Sequence, residues 1–140
     1  MEKRKGFTLI ELMIVIFIVG VMAAIAIPIM RGRIDSAKWS EGRDGAGMIR
    51  SAARAFCAEK NQDWGGVWAN VTLADLGFTL VSAADGDDLD GKYFTNESYA
   101  CVFTGYDTYT VTVTAVSSLR ADKPTNPAVV TLNQNGTWTP

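Results

Sequence analysis

The chain has 140 residues, 48% of them hydrophobic, with a formal net charge of −2, a length with room for one domain. It contains no histidine, which removes the commonest general base and metal ligand, and two cysteines are too few for an all-thiolate zinc site. No glycine-rich phosphate loop or nucleophile elbow appears, so an enzyme is not expected, and the acidic balance argues against general nucleic-acid binding.

The chain opens on a basic cluster, Lys3-Arg4-Lys5, opposed only by Glu2. An apolar run from Gly6 to Pro28 follows, with a single charge in it, Glu11. The nineteen residues from Leu12 to Met30 carry no charge at all. As a helix they would span roughly 28 Å, close to the hydrocarbon thickness of a bilayer. The cationic flank would stay on the cytoplasmic side and place the rest of the chain outside the cytoplasm. A secretory signal peptide, cleaved near Ala24-Ile25-Ala26, and a plain single-span anchor are two readings of this pattern. Neither explains Glu11, or Gly6-Phe7 at the boundary between the basic and apolar segments.

The segment Lys5-Gly6-Phe7-Thr8-Leu9-Ile10-Glu11 resembles the cleavage signal of type IV pilins and of the pseudopilins of type II secretion systems. The close likeness covers about the first thirty residues. It implies that a prepilin peptidase cuts between Gly6 and Phe7 and that the new N-terminal Phe7 is methylated. It also implies a precursor held in membrane lipid, an inner-membrane assembly platform, and a final homo-oligomeric helical filament. On this reading residues 1–6 are a leader and 7–30 a transmembrane and polymerisation helix. Residues 31–60 form an amphipathic second half of the helix, and 61–140 a globular head.

Glu11 lies four residues beyond Phe7, about 6 Å along a helix from the new chain end. In a water-free bundle of such helices an unpaired carboxylate is costly. Cleavage supplies a partner, the amine of Phe7 on a neighbouring copy, which Glu11 meets only when the helices are staggered. Glu11 therefore reads as a registration device between subunits. Gly20 and Pro28 weaken the helix, glycine by its backbone freedom and proline by a lost hydrogen bond. Both match positions in many type IV pilins between which the helix unwinds in the filament, and packing alone is the other reading.

Beyond Arg31, Ile34, Ala37, Met48, Ala52 and Phe56 recur on one helical face, with Ile49 and Ala53 beside it, to about Lys60. Gly42, Gly45 and Gly47 weaken this half, either to admit close packing or to bend it. Thr72–Gly77 reads as a short capped helix. Strand signals follow at Lys92–Thr95, Tyr99–Thr104, Thr108–Val116, Ala128–Leu132 and Thr137–Thr139, with Tyr109, Val111 and Val113 alternating against threonines. The fold class is α+β: a long N-terminal helical spine packed against a small antiparallel sheet of about four strands, the pilin fold that the resemblance implies.

Cys57 and Cys101 are expected to bridge helix to sheet in an oxidising compartment, adding on the order of 4 kcal/mol, with two separate buried thiols as the competing reading. The run Asp85-Gly86-Asp87-Asp88-Leu89-Asp90-Gly91 offers Asp85, Asp87, Asp88 and Asp90 to a calcium ion, although Leu89 and an out-of-place distal glutamate break the usual ligand order. A solvated acidic turn is the competing reading. Asn70-Val71-Thr72, Asn96-Glu97-Ser98 and Asn135-Gly136-Thr137 are sequons. Loss of the leader removes three basic residues and one acidic one, taking the net charge to −4. The function implied is the major subunit of a type IV pilus, with a secretion pseudopilin as the alternative and a non-polymerising anchored binding module behind it.

Overall fold

The computed structural model describes residues 6–80, 87–115 and 121–140. These divide into two compact units, one ending at Ile34 and the other running from Asp35 to Pro140. A single helix, α1 (Leu9–Lys60), contributes to both. It ends where a basic residue, Lys60, meets the helix dipole and Asn61 turns into the left-handed region at φ 51°. The Asn61 amide closes the last turn on the Cys57 carbonyl at 3.0 Å.

In the first unit every described residue from Gly6 to Ile34 is exposed. In the second unit α1 buries Trp39, Gly42, Gly45, Ala46, Ile49, Ala53 and Cys57, a seam at three- and four-residue spacing. The seam is rotated from the expected face: Ile34, Ala37 and Met48 are exposed, while Ile49 and Ala53 are fully buried. Trp39 and two glycines account for the rotation. A Cβ on Gly42 would stand 2.9 Å from the tip of the Phe94 ring, and one on Gly45 would stand 2.5 Å from the Tyr99 hydroxyl. These two glycines let aromatic rings lie against the helix backbone, which decides for close packing. Gly47 meets nothing within 4 Å and has no such role.

The sheet has the order β1 (Tyr99–Gly105), β2 (Thr108–Thr114), β3 (Val129–Asn133) and β4 (Trp138–Thr139), antiparallel throughout. Alternation sets the inner face: Tyr99 and Phe103 from β1, Tyr109, Val111 and Val113 from β2, Val130 and Leu132 from β3. They join the seam of α1 in one core with Phe94 and Leu89.

Two expected elements differ. Lys92–Thr95 is not a strand, because the Glu41 carboxylate takes the amides of Lys92, Tyr93 and Phe94 at 3.2, 2.8 and 2.9 Å. Thr72–Gly77 is a turn rather than a helix. Thr72 and Asp75 cap each other there, but the chain tightens to three-residue bonds and leaves through Gly77 at φ 92°.

Polar groups of α1 fasten the later loops. Asp35 accepts the Thr125 hydroxyl at 2.6 Å and the amides of Thr125 and Asn126 at 3.0 and 3.2 Å. The Trp39 indole donates to the Pro127 carbonyl at 3.1 Å. Further along, Arg50 donates twice to the Gln134 carbonyl, at 3.2 and 3.1 Å, while its own carbonyl accepts the Tyr109 hydroxyl at 3.2 Å. These bonds span more than fifty residues and tie the sheet's turns to one helix.

Candidate functional site

Residues Gly6, Phe7 and Thr8 are non-helical, and α1 starts at Leu9. The helix starts there because Thr8 and Glu11 form a reciprocal cap. The Glu11 amide donates to the Thr8 hydroxyl oxygen at 3.3 Å, while the Thr8 amide and hydroxyl both donate to Glu11 Oε2, at 2.8 and 2.6 Å. Two otherwise orphaned backbone donors are satisfied in this way. The signal was present in the sequence as Thr-x-x-Glu ahead of an apolar run, but it attracts no notice when Glu11 is read only toward a neighbour. Gly6 and Phe7 lie just outside the cap, and Phe7 is 85% exposed, so the backbone expected to be cut is non-helical and accessible.

Past the cap the helix presents its apolar side chains on all sides. Leu9, Phe17, Met22 and Met30 are each at least 66% exposed, and the stretch is long and apolar enough to cross a membrane. Burial of a large aliphatic or aromatic side chain is worth about 1.5–3 kcal/mol, so a surface of this size in water is strongly unfavourable. The helix must be covered by lipid or by other protein. Gly20 and Pro28 both sit within the continuous α1, and nothing approaches Gly20 within 4 Å.

The structure does not show the bridge expected between Cys57 and Cys101; the two cysteines are unpaired in it. Cys57 is buried on α1, and Cys101 lies half-buried on the inner face of β1. Burial pushes the Cys101 thiol up to about 12, with the charge of Cys57 adding to it, and raises Cys57 as well.

Of the acidic run, Asp85 lies outside the described residues. Leu89 is 4% exposed and belongs to the core, which explains its place among the aspartates. Asp88 accepts the Thr79 amide at 2.8 Å, and among the described residues no three histidine, cysteine, aspartate or glutamate side chains converge as a metal site would need. The sequons differ in access: Asn70 and Asn135 are exposed, whereas Ser98 of the Asn96 sequon is buried and bonded to the Thr95 amide.

Residues 1–27 match the family model described as the prokaryotic N-terminal methylation motif. Over an alignment of 141 residues the chain is 34% identical to fimbrial protein Q of Moraxella bovis, covering 99% of this chain and 86% of that one. It is 35% identical over 86 residues to a fimbrial protein of Pseudomonas aeruginosa, covering 61% of this chain and 56% of that one. With the type IV major fimbrial protein FimA of Dichelobacter nodosus the identity is 39% over 79 residues, or 54% of this chain and 50% of that one. The chain thus spans only about half the length of the last two. No solved structure matches it.

Proposed function

The chain belongs to the type IV pilin family, and we propose that it is the structural subunit of an extracellular helical filament, without enzymatic activity, and the major pilin of a type IV pilus. The observation that carries this reading is the exposed apolar helix with one carboxylate, Glu11, at its capped start. In the precursor, lipid covers that helix. Peptidase cleavage between Gly6 and Phe7 and methylation of Phe7 convert the chain end into an amine that stays at the membrane. An assembly platform then moves the helix from lipid into a bundle of its own copies, exchanging one apolar cover for another.

Apolar helices slide against each other at little cost, so the bundle needs a polar contact to fix its stagger. Glu11 of one subunit meeting the Phe7 amine of the next supplies it. Removing one partner of a buried ion pair costs about 3–5 kcal/mol, or roughly two to four powers of ten in an assembly equilibrium. Gly20 and Pro28 bracket the segment that would lengthen under load. A pseudopilin would use the same device in a shorter periplasmic filament; the similarity to fimbrial proteins favours the pilus.

The test is Glu11→Gln, which keeps size and hydrogen bonding but deletes the charge. Processed subunit should accumulate in the membrane while sheared filament per cell falls steeply. Normal filaments built wholly from processed Glu11→Gln protein would end the registration reading.

A further inference from the structure

Glu11 does not hang free at the start of α1. Both donors of Thr8 converge on one of its oxygens, Oε2, at 2.8 and 2.6 Å, and among the described residues Oε1 accepts no hydrogen bond. The Thr8 hydroxyl is used twice over, because it also accepts the Glu11 amide at 3.3 Å. Glutamate is among the side chains with most rotamer freedom to lose on fixing, and here a neighbour three residues away has already fixed it.

We propose that Thr8 is a positioning residue for Glu11: it holds the carboxylate in one orientation by Oε2 and leaves Oε1 to the amine of a second copy of this chain. The inference rests on the registration reading given above and adds a residue to it. The contact between subunits then forms without ordering a flexible side chain in the same step. Thr8 does not itself touch the neighbouring amine. Its effect passes through Glu11, and it needs both a hydroxyl and the helix start that this hydroxyl defines. Valine at position 8 keeps the branched shape and the backbone amide but loses the hydroxyl, whereas serine keeps the hydroxyl.

The experiment expresses each tagged full-length variant at low level beside wild type. It measures by quantitative mass spectrometry the ratio of processed variant to processed wild type in sheared filaments and in the membrane. Counting only processed chains removes any difference in cleavage. Loss of a helix cap of ordinary strength corresponds to about fivefold in an equilibrium, so Thr8→Val should be depleted in filaments about fivefold. Thr8→Ser should enter near the wild-type ratio. Thr8→Val in the Glu11→Gln background should be no more depleted than Glu11→Gln alone.

Two outcomes separate this inference from the reading beneath it. If Glu11→Gln itself enters filaments at the wild-type ratio, the registration reading fails and takes the Thr8 role with it. If Glu11→Gln is depleted while Thr8→Val enters as wild type does, registration stands and Thr8 has no positioning role. Depletion by Thr8→Val that simply multiplies that of Glu11→Gln would also overturn the inference, since Thr8 would then act without Glu11.

Discussion

Gly45 and Gly47 lie two residues apart on α1, and the same substitution at each should have opposite effects. An alanine Cβ at Gly45 would stand 2.5 Å from the Tyr99 hydroxyl oxygen, 2.6 Å from Cζ and 2.8 Å from Cε1. Tyr99 is only 6% exposed, so the ring has little room to yield. Overpacking of this kind costs about 1–3 kcal/mol, against which alanine regains up to about 1 kcal/mol of helix propensity. The net effect at Gly45 is a loss of about 1 kcal/mol. At Gly47 a Cβ meets nothing within 4 Å, so only the propensity gain of somewhat under 1 kcal/mol remains. The two variants should therefore differ by about 2 kcal/mol, on the order of 10 °C in the midpoint of a domain this size. The assay is thermal unfolding of detergent-solubilised full-length protein, followed by tryptophan fluorescence, with Trp39 buried at 1% exposure as an internal reporter. Gly45→Ala melting as high as Gly47→Ala would refute the packing argument.

Glu41→Ala should leave the amides of Lys92, Tyr93 and Phe94 without their acceptor and cost about 2 kcal/mol or more in urea unfolding; an unchanged midpoint would remove Glu41 as the organiser of that segment. Asp35 is held below its ordinary value of 3.8 by the Thr125 hydroxyl and amide, so its contribution is present above pH 3.8 and lost as pH falls through the lower folded value. Wild type should accordingly lose more stability than Asp35→Asn on acidification through that range, and parallel acid profiles would count against the clamp. The Cys101 thiol, raised from 9.0 to about 12, favours folding below pH 9.0, and that contribution disappears as pH climbs toward about 12. Native protein at pH 8 should therefore alkylate slowly at Cys101 and quickly once unfolded, whereas an intact mass two hydrogens below the reduced mass would contradict the free thiols.

Local signals were legible where one segment determines its own structure. Tyr109, Val111 and Val113 alternate with threonines, and β2 buries those three side chains. The boundaries of β1, β3 and β4 fall within a residue of the runs that suggested them. Signals failed where a distant residue intervenes. Nothing near Lys92 indicates that Glu41, more than fifty positions earlier, will claim the amides a strand would need. The seam of α1 was misplaced for a related reason. Met48 and Ile34 outweigh glycine on any hydropathy pattern, yet Gly42 and Gly45 mark the buried side because Phe94 and Tyr99 require their absent side chains. Cys57 and Cys101 lie on α1 and on the inner face of β1, as the sequence suggested, and the structure leaves them unpaired. At the N-terminus Glu11 was conspicuous as the lone charge of the apolar run, while its bond to Thr8 was equally written in the sequence and easier to overlook.

The central claim is that this chain is cut between Gly6 and Phe7 and then built into a filament by its apolar helix. It is tested most directly by the N-terminal peptide of material sheared from the cell surface. Mass spectrometry of that peptide should show it starting at Phe7 and carrying one methyl group, with the apolar segment through Pro28 retained. Sheared material lacking this chain, or a chain that begins at Met1 or at Ile27, would contradict the account.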